Sequence, residues 1–242
     1  MLGKEATVKL LSRVGGGGAG EAPDHPPLSE PLRIGFMSSD WRVHPVSTLV
    51  RSLIEAAAEK YEVTVFSVSS NDGIGKGVDD GWWLRNITGI VSPSNFIDLH
   101  GLTPSKAASV IRSRLISVLI DLNGQTLGSG LPIMAFRPCP IQVTYLGLPQ
   151  TTSLPYVDYL ISDASVTPPD IPNKFTEALA FTSHPSYIVN DYKNLQGHTR
   201  WRHPLRPPLE GGGGSDVVLG VLSNMQKMNP RTLDAVANIM RR

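Results

Sequence analysis

Cysteine is almost missing from this chain. Cys139 stands alone, which excludes an intrachain disulfide and fits a reducing compartment. Set between Pro138 and Pro140, it reads as a small core or loop residue rather than a nucleophile. Long apolar runs are missing too: no stretch approaches the roughly 18 residues needed to cross a bilayer, so no membrane partner is expected. Charge of one sign is lacking, with 22 Lys and Arg against 21 Asp and Glu for a net +1. Bulk attraction to nucleic acid or to an anionic membrane is therefore not implied, although local patches stay open. There is no cluster with metal-ligand spacing, no P-loop, no G-x-G-x-x-G and no nucleophile elbow. These absences disfavour a zinc enzyme, a P-loop NTPase and a dinucleotide-dependent dehydrogenase. The opening MLGKEATVKLLSRVGGGGAG carries basic residues and an apolar patch, but Glu5 and Gly15 to Gly18 spoil a targeting reading. The expectation is a soluble protein of the cytoplasm and/or nucleus.

What is present is an ordinary globular composition, 40% hydrophobic and 18% charged over 242 residues, enough for one large or two small domains with a real core. The organising stretch is LRIGFMSSDWRVHPVSTLVRSL, Leu32 to Leu53. Leu32, Ile34 and Phe36 read as a buried strand stopped by Ser38, Ser39 and Asp40, and Val46, Leu49, Val50 and Leu53 give a helix face. A strand feeding a helix through a polar turn is the unit of nucleotide-binding α/β folds, whose ligands lie beyond the carboxyl ends of the strands. His44 lies in that turn.

Further strands are expected at Tyr61 to Ser69, in the run Gly89 to Leu99, at Ile116 to Leu122, at Ile141 to Leu146 and at Val157 to Ser162, with a helix after Pro104. ISVLIDL is apolar without alternation, as a strand covered on both faces requires. The glycine-rich residues 70 to 89 hold Trp82 and Trp83 as anchors. Strand, connection and strand recur about every 25 to 40 residues, which argues for a parallel sheet with crossovers. Beyond Pro168 the texture changes. Ala178 to Asn190 is an irregular strand or a crossing segment, and HTRWRHPLRPPLEGGGGS is a linker or, less simply, a polyanion patch. Val217 to Leu222 and Pro230 to Met240 read as a strand and a helix, with Asn229 as N-cap. The domains expected are a disordered leader at 1–30, a Rossmann-like lobe at 31–194, a linker at 195–215, and the first strand and helix of a second lobe at 216–242.

Taken by residue type alone, His44 is a general base, a hydrogen-bond donor to phosphate, or a structural loop histidine. Asn123 to Thr126 face a ligand or close a turn, and the same choice holds for Gly147 to Thr152. Lys227 reaches a diphosphate as a point charge or is simply solvated.

RIGFMSSDWRVHPVSTL, NFIDL, LIDLNGQTLGSGLPIMAFRPCPIQVTYLGLPQTTS, VDYLISD, VNDYK and SNMQKMNPRTL, kept in order, together resemble the catalytic region of the O-linked N-acetylglucosamine transferases. His44 followed by Pro45, with the VNDYK segment, is closer to that branch, the plant SECRET AGENT type included, than to the related SPINDLY-type O-fucosyltransferases. The resemblance implies the N-terminal lobe of a GT-B glycosyltransferase plus the start of the second. It further implies a UDP-N-acetylglucosamine donor, no metal or other cofactor, and inverting transfer to Ser and Thr hydroxyls of protein acceptors. It makes His44 the active-site histidine and Lys227 the diphosphate contact, and carries substrate binding to Pro45, Thr126, Gly147, Pro149 and Asn224.

Departures from the family pattern are Asn95 at a histidine, Gln125 at a tyrosine, Leu127 at a lysine, Gln150 at a glycine, and Asn224 and Gln226 at a glutamine and a tyrosine of the nucleotide pocket. The rest of the second lobe after Arg242, and tetratricopeptide repeats before the lobe, are expected to be missing. On that basis the isolated chain is expected not to turn over. An O-fucosyltransferase and a non-catalytic binding lobe remain the alternatives.

Overall fold

Arg33–Ser38 forms a strand, β1, near the middle of a seven-stranded sheet. The structure is a computed structural model that describes residues 31–42, 44–69, 87–168, 174–182 and 228–241. After β1 come helix α1 (Pro45–Ala58), β2 (Glu62–Ser67), β3 (Phe96–Asp98), α2 (Pro104–Ser113), β4 (Val118–Asp121), a short α3 (Leu131–Met134), β5 (Ile141–Thr144), β6 (Tyr159–Ser162) and β7 (Ala178–Phe181). The strands lie in the order β3-β2-β1-β4-β5-β6-β7, and every neighbouring pair is parallel. This is a Rossmann-like α/β sheet, as the spacing of the strands implies.

The sheet is covered on both faces, and successive apolar residues of a strand enter opposite layers. Phe36, Val65, Ile120 and Val143 pack with Val46, Val50 and Ile54 of α1. Met37, Phe66 and Leu119 pack on the opposite face with Ala107, Ala108 and Ile111 of α2 and with Leu131, Ile133 and Met134 of α3. Burying each large apolar side chain contributes about 1.5–3 kcal/mol, so most positions of a strand touching both layers are apolar, and Thr64, Asp121, Gln142 and Thr144 are buried polar exceptions. Cys139 is buried in the second layer. Burial pushes its thiol up to about 12, which fits a core residue and not a thiolate nucleophile.

Several boundaries differ from the sequence reading for visible reasons. The ladder of β4 runs one residue past each end through Ser117 N to Arg33 O and Leu122 N to Met37 O, which accounts for the longer strand read from Ile116 to Leu122. β5 stops at Thr144 because Leu146 takes a left-handed φ of 70°, turning the chain across the end of the sheet. In the Gly89 to Leu99 run only Phe96–Asp98 is strand; residues 87–91 are helical and Pro93–Asn95 is a 3₁₀ turn. The ambiguous segment from Ala178 resolves into a true strand, β7, paired with β6 through Phe181. Trp82, Trp83, the leader 1–30, the linker 195–215 and the strand read at Val217 to Leu222 lie outside the described residues.

The chain divides into two compact units, Met1–Lys193 and Asn194–Arg242. In the second, helix α4 (Pro230–Met240) begins as the sequence implies: Asn229 Oδ1 accepts from Thr232 N at 3.0 Å, and proline occupies the first turn. No described helix is long and apolar enough to cross a membrane.

Candidate active site

The direction in which successive strands are added to the sheet reverses between β1 and β4, with β2 and β3 on one side and β5 to β7 on the other. In open α/β sheets the loops leaving such a pair diverge and open a crevice for ligands. The loop after β1 carries Ser39, Asp40 and His44, and the loop after β4 carries Asn123 and Thr126.

A continuous polar chain joins them. Asn123 Oδ1 accepts from Ser39 N at 2.8 Å, and Asn123 Nδ2 lies 2.9 Å from Ser39 Oγ, 2.9 Å from Asp40 Oδ2 and 3.4 Å from Thr126 Oγ1. Asn123 and Asp40 are buried, so these bonds are shielded from water and an unmade one would cost its full desolvation. Asp40 Oδ1 faces Arg42 at 3.2 Å, and Asp40 Oδ2 stands 3.6 Å from His44 Nδ1. His44 is the N-cap of α1, its Nδ1 accepting from Val46 N at 3.3 Å. Its imidazole is 36% exposed. Among the described residues, Nε2 makes no hydrogen bond. The arrangement is a half-open histidine with a fixed carboxylate at its back, able to give or take a proton at its free nitrogen.

The loop after β5 lies against this chain. A Cβ on Gly147 would meet Leu122 O at 2.4 Å and Asn123 C at 2.6 Å, so this position admits only glycine if the β4 and β5 loops are to touch. Gln125 Nε2 donates to Thr152 O at 2.6 Å and ties the same two loops at their outer ends. Thr152 is then held by Glu177, just before β7: Oε1 accepts from Thr152 N at 2.7 Å and from the Thr152 hydroxyl, while Oε2 accepts from Thr151 Oγ1 at 2.8 Å. Burial alone would raise the Glu177 carboxyl, but the threonine and backbone hydrogen bonds together bring it below its ordinary value.

Beneath the crevice, Asp121 ends the central strand with its side chain buried. Asp121 Oδ2 accepts from Gly124 N at 2.6 Å and from Thr144 Oγ1 at 3.4 Å, whereas Oδ1 has no hydrogen-bond partner among the described residues. Burial pushes this carboxyl up to about 7 against the hydrogen bonds from Gly124, Asn123 and Thr144 that lower it.

The structure thus brings together His44, Pro45, Thr126 and Gly147 at the carboxyl ends of β1, β4 and β5. Pro45 and Pro149 are exposed there, at the first position of α1 and in the β5 loop. Asn224 and Lys227, with Gln226 and the VNDYK segment, lie outside the described residues. Of the departures, Leu127 is 99% exposed beside Thr126, Gln150 is exposed in the β5 loop, and Asn95 belongs to the turn opening β3, two strands from β1. Sequence reasoning gave no role of their own to Asp40, read as a strand stop and as part of the Ser38 to Pro45 wall of the cleft, or to Asp121. The available signals were an acid four positions before the loop histidine and a carboxylate closing the most apolar strand.

A sequence model described as glycosyl transferase family 41 matches residues 22–242. A probable UDP-N-acetylglucosamine:peptide N-acetylglucosaminyltransferase, SEC, of Arabidopsis thaliana is 33% identical over 87% of this chain and 21% of its own length. The corresponding Caenorhabditis elegans transferase is 36% identical over 69% of this chain and 14% of its own. A SPINDLY protein of Oryza sativa, bearing the same probable transferase description, is 31% identical over 90% and 22%. Among solved structures, a mutant O-GlcNAc transferase of Thermobaculum terrenum aligns with a TM-score of 0.58 at 28% identity, covering 69% of this chain and 32% of that one. The chain spans 14 to 22% of the length of these curated relatives. With the fold, the match across nearly its whole length and these relatives in agreement, the chain belongs to glycosyl transferase family 41, the family of the O-GlcNAc transferases.

Proposed function

We propose that this chain supplies the first lobe of a protein O-GlcNAc transferase, which moves N-acetylglucosamine from UDP-GlcNAc to Ser or Thr hydroxyls of proteins with inversion at the sugar carbon. The observation that carries this reading is His44, which caps α1 at the mouth of the β1–β4 crevice with the Asp40 carboxylate 3.6 Å from its Nδ1, in a chain of this family. In the reaction, the acceptor oxygen attacks the anomeric carbon opposite the diphosphate and its proton passes to His44. The bond from that carbon to the phosphate oxygen breaks, and UDP leaves with the electron pair. Lys227 and Asn224 would stand at the diphosphate, where a cation and backbone amides balance the developing charge without a metal. Pro45, Thr126, Gly147 and Pro149 would line the crevice toward the sugar and the acceptor.

The relatives named SPINDLY favour keeping GDP-fucose as a second donor to test. Exchange of this chain for its matching segment in the Arabidopsis relative gives a chimera that can be assayed with both donors and an acceptor peptide. Transfer from UDP-GlcNAc that falls on Lys227→Ala supports the proposal. Transfer from GDP-fucose alone assigns the fucosyl reading, and a folded chimera inert with both donors assigns a binding lobe.

A further inference from the structure

His44 Nδ1 faces two partners that make opposite demands on it. The Val46 backbone N–H, 3.3 Å away, can only donate, so that bond needs a bare Nδ1 and puts the proton of the neutral ring on Nε2. Asp40 Oδ2, 3.6 Å away, accepts when ionised, so a bond to it needs a proton on Nδ1 and leaves Nε2 bare. One nitrogen cannot satisfy both at once.

We propose that Asp40 is a positioning residue that draws His44 out of its helix-capping form into the tautomer whose Nε2 takes a proton. The inference rests on reading His44 as the residue that receives the acceptor proton. The geometry fits an exchange in which the ring moves and the carboxylate does not. Asp40 is 7% exposed and held on both oxygens, by Asn123 Nδ2 at 2.9 Å and by Arg42 at 3.2 Å. His44 precedes the first turn in extended backbone, φ −149° and ψ 147°, and its ring is a third exposed, so a side-chain rotation closes the gap to Asp40 without disturbing α1. Among the described residues, the charged group facing the ring is Asp40; Arg42 stands on the other oxygen of that carboxylate, and the neutral Asn123 donates to it from the β4 loop. Losing the cap costs about as much as a charge-assisted hydrogen bond gains, so neither form dominates completely.

The test is the tautomer ratio of His44 in the whole 242-residue chain, read by long-range proton–nitrogen NMR on ¹⁵N-histidine-labelled protein at a pH where the ring is neutral. Asp40→Asn should move the ratio toward Nε2–H by about fivefold, the ratio equivalent to one capping interaction of about 1 kcal/mol. Arg42→Ala, which leaves Asp40 a stronger acceptor for the ring, should move it toward Nδ1–H. Arg42 is 55% exposed, so this variant keeps the fold and carries the test if Asp40→Asn does not. An unchanged ratio in the folded variants, or a shift of both in the same direction, overturns the proposal. The readout involves no sugar nucleotide, so a failure of the transferase reading and a failure of this inference are told apart.

Discussion

Asn123 Nδ2 donates to Asp40 Oδ2 across 2.9 Å and so joins the ends of β1 and β4, 83 positions apart in the chain. The same side chain accepts from Ser39 N at 2.8 Å. One buried amide therefore sets the width of the crevice and the place of the carboxylate behind His44.

Replacing Asn123 with Ala leaves Ser39 N and the Asp40 carboxylate buried without their partner. A loss of about 2–4 kcal/mol is expected, read as a lower urea midpoint with an unchanged slope. Asn123→Asp should be worse than Ala despite its matching shape, because it sets a second carboxylate against Asp40 where an N–H donor stood.

Gly147→Ala should displace the β5 loop. The added methyl meets backbone atoms of Leu122 and Asn123, which cannot rotate away, and overpacking of this kind costs about 1–3 kcal/mol. Amide exchange should rise in the β4 and β5 loops of this variant and stay unchanged at β2. Uniform protection in both loops would show that the chain gives way more easily than the contact implies.

Asp121 makes stability depend on pH with an unusual sign for an acid. Its folded value is about 7 against an ordinary 3.8, so between those limits the folded chain holds a proton that the unfolded chain has released. Stability therefore falls as pH rises from about 4 to 7 and is level in this respect above that. At 1.36 kcal/mol per unit the span is about 4 kcal/mol. Denaturant titrations of wild type and Asp121→Asn across this range should diverge as pH rises, with the asparagine variant losing less.

Glu177 acts with the opposite sign. Its folded carboxyl lies below the ordinary 4.5, so its bonds to Thr151 and Thr152 contribute fully above that value and are lost as pH falls through the folded one. Glu177→Gln should lower stability at neutral pH by about 1 kcal/mol, and the difference should vanish in acid.

The elements that proved legible in the sequence are those whose burial leaves a periodic trace. β1, α1, β4 and the helix after Pro104 show apolar spacing because each packs on a continuous layer. His44 stood out because it sits in a short polar break between two such patterns. The α3 turn carried no trace, being four residues long with a proline, Pro132, inside it. β7 was ambiguous because an edge strand with exposed Ala178 and Phe181 lacks the doubly buried pattern. The pairing of Asp40 with Asn123 depends on strand order, and local spacing cannot report which loops the topology sets side by side. The unpartnered oxygen of Asp121 is hidden for the same reason.

The central claim is that His44 handles the acceptor proton in sugar transfer. It is tested most directly by kcat for GlcNAc transfer to a peptide in the chimera with and without His44→Ala. A fall of roughly 100-fold or more, the usual scale for a general acid or base, with the KM for UDP-GlcNAc little changed, is the predicted result. An unchanged kcat would contradict it.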